Sequence, residues 1–164
     1  MATPVEMGYE SSLYINTGTY GSPTWTEIDL ARDVTIGETI PKVNVTTRRT
    51  ARDGWVANDY GLKENNISFD VLIPAAGESN TAYDALLAAS RARTPVDILH
   101  VEGGQISTDG LDATRSVCGV FGGDKGEPLQ DASTRSFELS FTLNSDQDVP
   151  QYGTTSGGAF VPAS

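Results

Sequence analysis

Between Val43 and Ile73 the chain reads VNVTT-RRTARDGWVANDYGLKENN-ISFDVLI, two alternating segments around a long charged stretch. Successive side chains of a strand point to opposite faces, so period-two alternation specifies a strand with one face buried. Ile67, Phe69, Val71 and Ile73 form one stripe, with Ser68 and Asp70 on the other face. Pro74 ends the run because it has no N–H for the ladder. The same pattern returns near the C-terminus, where Phe137, Leu139, Phe141 and Leu143 alternate with Glu138, Ser140 and Thr142. A chain with such stripes must bury them against another layer.

Shorter signals fill in the rest. Leu13 and Ile15 share a face in SSLYINT. In TWTEIDL, Thr26, Ile28 and Leu30 oppose Trp25, Glu27 and Asp29, and 33–36 either continues this strand or forms its own. Val96–Val101 and the segment 115–121 are further strand candidates, and GGDKGEP after them reads as a loop. Residues 80–93, NTAYDALLAASRAR, carry the one convincing helical period through Tyr83, Leu86 and Leu87. Thr81 with Asp84 resembles a capping box, Arg91 and Arg93 suit the C-terminal end, and Pro95 stops the helix. The sum is a mainly β domain over residues 1–143. It is an antiparallel β-sandwich or barrel with one flanking α-helix and a long inter-strand loop. Residues 144–164 show no periodicity and read as a tail, flexible alone or ordered by a neighbour, with Tyr152, Phe160 and Val161 as anchors.

Charge narrows the function classes. The 22 acidic and 11 basic residues give a formal net charge of -11, which argues against a phosphate-backbone binder. MATPVEMGYESS lacks a basic region followed by an apolar one, so synthesis in the cytoplasm is expected, and no apolar run approaches a membrane span. Asn44-Val45-Thr46 and Asn66-Ile67-Ser68 match the glycosylation triplet, and without a secretory signal they read as chance.

Reactive groups are sparse. His100 is the one histidine and Cys118 the one cysteine, and no local motif pairs them. Cys118 sits among Val117, Val120 and Phe121 and reads as a small buried hydrophobe. The glycine-rich GGDKGE lacks the spacing of a phosphate loop, and residues 107–112 lack the full acidic spacing of a calcium loop. Neither an enzyme nor a cofactor or metal site is expected.

The long loop carries the functional reading. Unstructured loops beyond about 12–15 residues are uncommon in compact domains and usually functional. This one holds three arginines in five residues, with aromatic side chains beside them. Arg48, Arg49, Arg52, Asp53, Trp55, Asp59, Tyr60 and Lys63 are the candidate subunit-interface residues. Arginine's planar fork suits carboxylates, an acidic partner is at hand in a second copy, and Trp and Tyr are frequent interface anchors.

The order of elements is similar to that of phage tail tube proteins (major tail proteins) over about residues 8–143. The similarity rests on GYESSLYINTG, on TWTEIDLARDVTIGE, and above all on the Val43–Ile73 stretch with Gly61-Leu62 before ISFDVLI. That resemblance implies a virion protein, six-membered rings stacked into a hollow tube, and a long loop reaching neighbouring subunits. It also implies contact with other tail proteins and a genome passing through without specific binding or any membrane. Asp70 and Glu138 are the candidates for lumen-facing residues. A different class, a monomeric β-sandwich module binding carbohydrate or calcium, remains open, as does another virion protein such as a tail terminator or decoration protein.

Overall fold

The computed structural model describes residues 3–4, 8–47, 54, 56–142 and 150–164. Its strands are β1 (Ser12–Asn16), β2 (Trp25–Glu27), β3 (Ala31–Thr39), β4 (Lys42–Asn44), β5 (Asn58–Tyr60) and β6 (Glu64–Leu72). After the helix α1 (Thr81–Ala92) come β7 (Val96–Val101), β8 (Asp112–Gly126), β9 (Thr134–Phe141), β10 (Gln151–Ser156) and β11 (Ala159–Pro162). Nine strands form one antiparallel sheet in the order β2-β1-β7-β8-β9-β6-β3, with β10 added to β8 and β11 to β10. The pair β4–β5 is a separate two-stranded ribbon.

The alternation predicted for β6 and β9 is the structural alternation. Ile67 lies opposite Leu139 and Phe69 opposite Phe137, all four buried, with the two phenyl centroids 6.0 Å apart. Each such side chain contributes about 1.5–3 kcal/mol through burial. Leu13 and Ile15 of β1, from the far end of the sheet, join the same cluster. The sheet therefore curls around this main cluster. Ala82, Tyr83, Leu86 and Ala89 bring one face of α1 into it.

The helix starts differently from the expected capping box. Asn80, not Thr81, is the N-cap: it is extended and its side-chain oxygen accepts from the Tyr83 N–H at 3.0 Å. Its amide nitrogen also donates to Asp29 at 2.9 Å, tying the helix to the turn before β3. Asparagine outranks threonine at this position. Asn80→Ala is expected to cost about 1 kcal/mol, read as a lower urea midpoint. An unchanged midpoint would assign the cap elsewhere.

The opposite face of β1 and β7 is buried as well. Tyr14, Leu99, Val101 and Ala113 form a second cluster, packed by Trp25, Ile106, Leu111 and Phe160. Beside it Arg115 and Asp97 make an ion pair whose side chains are each only 11% exposed. The guanidinium Nη2 donates to Asp97 Oδ2 at 2.6 Å and to the Tyr20 carbonyl at 2.8 Å, and it stacks 3.9 Å from the Tyr20 ring. Asn16 donates to the same carboxylate at 3.1 Å.

Two segments depart from the expected layout. GGDKG is not a loop: β8 continues through it, with a bulge between Phe121 and Asp124 that lets Asp124 pair with Ser136. Gly122 and Gly123 supply the positive φ angles the bulge needs, at 93° and 154°. The aperiodic C-terminal stretch carries β10 and β11. Phe141 is paired with Cys118 and Gln151 with Arg115, so β10 takes up the line of β9 along the same side of β8. The anchor is Thr155, 1% exposed, whose hydroxyl donates to the Thr108 carbonyl and accepts from the Leu111 N–H. The polar 102–111 segment is thus a cradle for the hairpin, with Asp109 accepting from Gly157 N–H at 2.7 Å. At Gly153 a Cβ would stand 2.1 Å from the Val161 carbonyl, so only glycine lets β11 approach this closely.

Candidate assembly surfaces

Three exposed features stand out: the ribbon, an open strand edge and a polar sheet face. In the ribbon Lys42 pairs with Tyr60 and Asn44 with Asn58. Thr46 extends it, accepting from the Ala57 N–H and donating to the Ala57 carbonyl, while Gly61 N–H donates to Pro41 at 2.7 Å. Among the described residues this arm pairs with no other strand, and its side chains are exposed. Tyr60 is 85% and Leu62 91% exposed, and Ile40, Val43, Val45 and Val56 add to an apolar surface. Exposure of so many large apolar side chains together, rather than singly, is the mark of an interaction surface.

Of the candidate interface residues, Arg48, Arg49, Arg52, Asp53 and Trp55 lie outside the described residues. Asp59 and Tyr60 stand on β5, exposed. Lys63, at the arm's base, is engaged within the chain: it pairs with Glu38 and donates to the Tyr152 hydroxyl at 3.0 Å. Tyr152 in turn donates to Glu38 at 2.9 Å. This clasp joins the arm to the C-terminal hairpin. Sequence reading missed Glu38, and named Tyr152 as an anchor of the tail without linking it to the arm, because the two lie 25 and 89 positions from Lys63.

The face of β3, β6, β9 and distal β8 that points away from the core is polar. Asp70 is paired with Ser136, whose hydroxyl donates to it at 2.6 Å. Glu138 stands opposite Ser68 and accepts from Asn66 at 3.3 Å. Thr35 and Ser140 extend the surface to the neighbouring strands. Phe121 is its exposed aromatic, its ring lying over Gly119, where a Cβ would come within 2.9 Å. β3 pairs with β6 on one side and, among the described residues, with no strand on the other. Its exposed Val34 and Ile36 are a signal in DVTIGETI that sequence reading did not use for function.

The reactive groups do not converge. Cys118 faces Val96 and His100 faces Thr114, so the two stand four residues apart along β7, about 13 Å. Burial pushes the Cys118 thiol above its ordinary pKa, the opposite of an activated nucleophile. Among the described residues no group of three or more His, Cys, Asp or Glu side chains could hold a metal ion. A groove of about 620 Å³ lies between α1 and β1, is walled by Ala85, Ala88 and Ala92, and reaches the already paired Asp97.

No family profile and no curated protein matches the sequence. Solved structures do. A chain of the tail of an empty gene transfer agent particle, refined with helical and C6 symmetry, superposes with a TM-score of 0.67 at 12% identity, covering 85% of this chain and 96% of the other. A chain of the native gene transfer agent virion gives 0.68 at 10% identity, over 93% and 100%. The SPP1 tail tube gives 0.64 at 12% identity, over 84% and 76%. This chain therefore shares the overall fold of chains found in a gene transfer agent tail, in a gene transfer agent virion and in the SPP1 tail tube.

Proposed function

We propose that this chain is the subunit of a phage or phage-like tail tube, a structural rather than catalytic protein of the virion. Six copies form a ring, and rings stack into a hollow conduit for the genome, capped and continued by other tail proteins. The observation that carries this reading is the polar face with its open β3 edge, on a fold shared over most of its length with chains of a gene transfer agent tail and virion. The edge of β3 and the part of β8 past Cys118 are the two sides at which neighbouring sheets join, which removes the unpaired edge. The polar face, with Asp70 and Glu138, then lines the lumen. Carboxylates there repel DNA phosphates, so the genome slides instead of binding. The cationic arm reaches the adjacent ring. A contact between unlike surfaces propagates into a filament rather than closing on itself.

The test is negative-stain electron microscopy of the purified chain at high concentration, at low and high salt. Hollow rings and tubes are the expected result. Small monodisperse particles at every condition, together with a melting temperature raised by calcium or glycans, would replace this reading with a monomeric binding module.

A further inference from the structure

The arm joins the body at the ends of two strands. It leaves β3 after Thr39 and re-enters the sheet at Glu64, where Glu38 with Asn65 and Thr39 with Glu64 are the last pairs of the β3–β6 ladder. A two-stranded ribbon on its own is marginal in water, so the direction of the arm has to be set at its base. Three side chains meet there. Lys63 and Glu38 form an ion pair across the last pairs of the ladder. The third comes from far along the chain. The Tyr152 hydroxyl of β10 accepts from Lys63 Nζ at 3.0 Å and donates to Glu38 Oε1 at 2.9 Å. Its ring centroid lies 5.3 Å from the same ammonium.

Packing does not hold Tyr152 in this position. The side chain is 51% exposed and stands between two cavities of about 250 and 270 Å³. One reaches Phe141 and Pro150, the other Ile36 and His100. The ring therefore has room to swing, and its hydroxyl is what fixes it, with donor and acceptor capacity both in use. Half-exposed ion pairs hold weakly, so the contact opens and closes readily. β10 itself meets β8 over four pairs, Gln151 with Arg115 through Thr154 with Asp112. One short strand thus carries the third member of the contact.

We propose that Lys63, Glu38 and Tyr152 are a latch through which the C-terminal hairpin controls the arm. Closed, it fixes the direction of the arm. When β10 lifts from β8, Tyr152 leaves and the arm swings on Thr39 and Glu64. A strand that competes with β10 for β8 would release the arm without touching it. The latch works within one copy, so it stands or falls separately from the assembly reading.

Hydrogen exchange read by mass spectrometry tests the coupling. Tyr152→Phe removes one exposed oxygen, keeps the ring and leaves the Lys63–Glu38 pair in place. Exchange in 40–47 and 56–62 should quicken about fivefold, the most that a surface contact of this kind supplies. Coupling between two sites is reciprocal, so Lys63→Met should quicken exchange in 151–156 by a similar factor. The β8–β9 turn around Leu129 lies at the opposite end of β6 from the arm. It is the internal reference and should exchange at the wild-type rate in both variants.

Unchanged exchange of the arm in Tyr152→Phe, or a change confined to the hairpin, would mean a surface contact without coupling and would overturn the latch. A rise of equal size in the arm, in the Leu129 turn and in β6 and β9 would mean general loosening of the domain, and would overturn it as well.

Discussion

On the proposed assembly, replacing Arg48 and Arg49 together by glutamate is expected to abolish tubes while leaving the domain folded. The arm, with five basic and two acidic residues between positions 40 and 63, becomes a segment with three basic and four acidic ones. A surface ion pair contributes up to about 1 kcal/mol. Two such pairs lost per subunit of the proposed six-membered ring would remove about 12 kcal/mol from each ring-to-ring contact on that scale, before any new repulsion is counted. Such a loss outweighs what stacking can spare. The domain's stability should not follow, because the described parts of the arm lie outside both core clusters. Wild-type tubes should also loosen as salt rises, since screening shortens the reach of exposed charges to about 8 Å at physiological ionic strength. Normal filaments from the double variant would remove the arm from the assembly.

The second large effect concerns stability. Arg115→Ala leaves the Asp97 carboxylate, 11% exposed, with the Asn16 amide as its one side-chain hydrogen-bond donor among the described residues. Breaking one side of a buried pair costs about 3–5 kcal/mol, because the remaining charge has lost both partner and water. For a chain of this size that lowers Tm by roughly 6–20 °C. The loss includes the Tyr20 carbonyl contact and the stacking on Tyr20 and Trp25, so the 17–24 turn loosens too. Arg115→Ala with Asp97→Ala should cost less than the sum of the two single changes. Urea denaturation of the three variants measures the difference. Strict additivity would mean that the pair contributes little beyond packing.

Which parts of the fold were legible depended on how each strand is covered. β6 and β9 are buried on one face only, so their alternation shows in the sequence and placed Asp70 and Glu138 on the polar side correctly. β1 is buried on both faces, and its inner and outer positions follow from two clusters far apart in sequence. β10 and β11 were invisible because their anchoring is non-local: Thr155 depends on carbonyl and amide groups of residues 108 and 111. A glycine-rich run reads as a loop by composition, yet in distal β8 the glycines shape a bulge inside a strand. The arm was legible as a feature, through its length and charge. Its internal pairing was not, since all six residues of β4 and β5 are exposed and leave no buried stripe.

β8 belongs to both halves of the sheet. Its first residues carry β7 and β10, and its last carry β9 beside the polar face. Fifteen consecutive residues link the cradle of the C-terminal hairpin to the far turn without an intervening loop. A strand held by ladder bonds resists stretching far better than a loop does, so a pull on the hairpin is not absorbed locally. It is delivered along the backbone to Leu129 and its neighbours. The chain is built like a jointed tie-rod, one continuous strand running between its two ends with a single joint at the Gly122–Gly123 bulge.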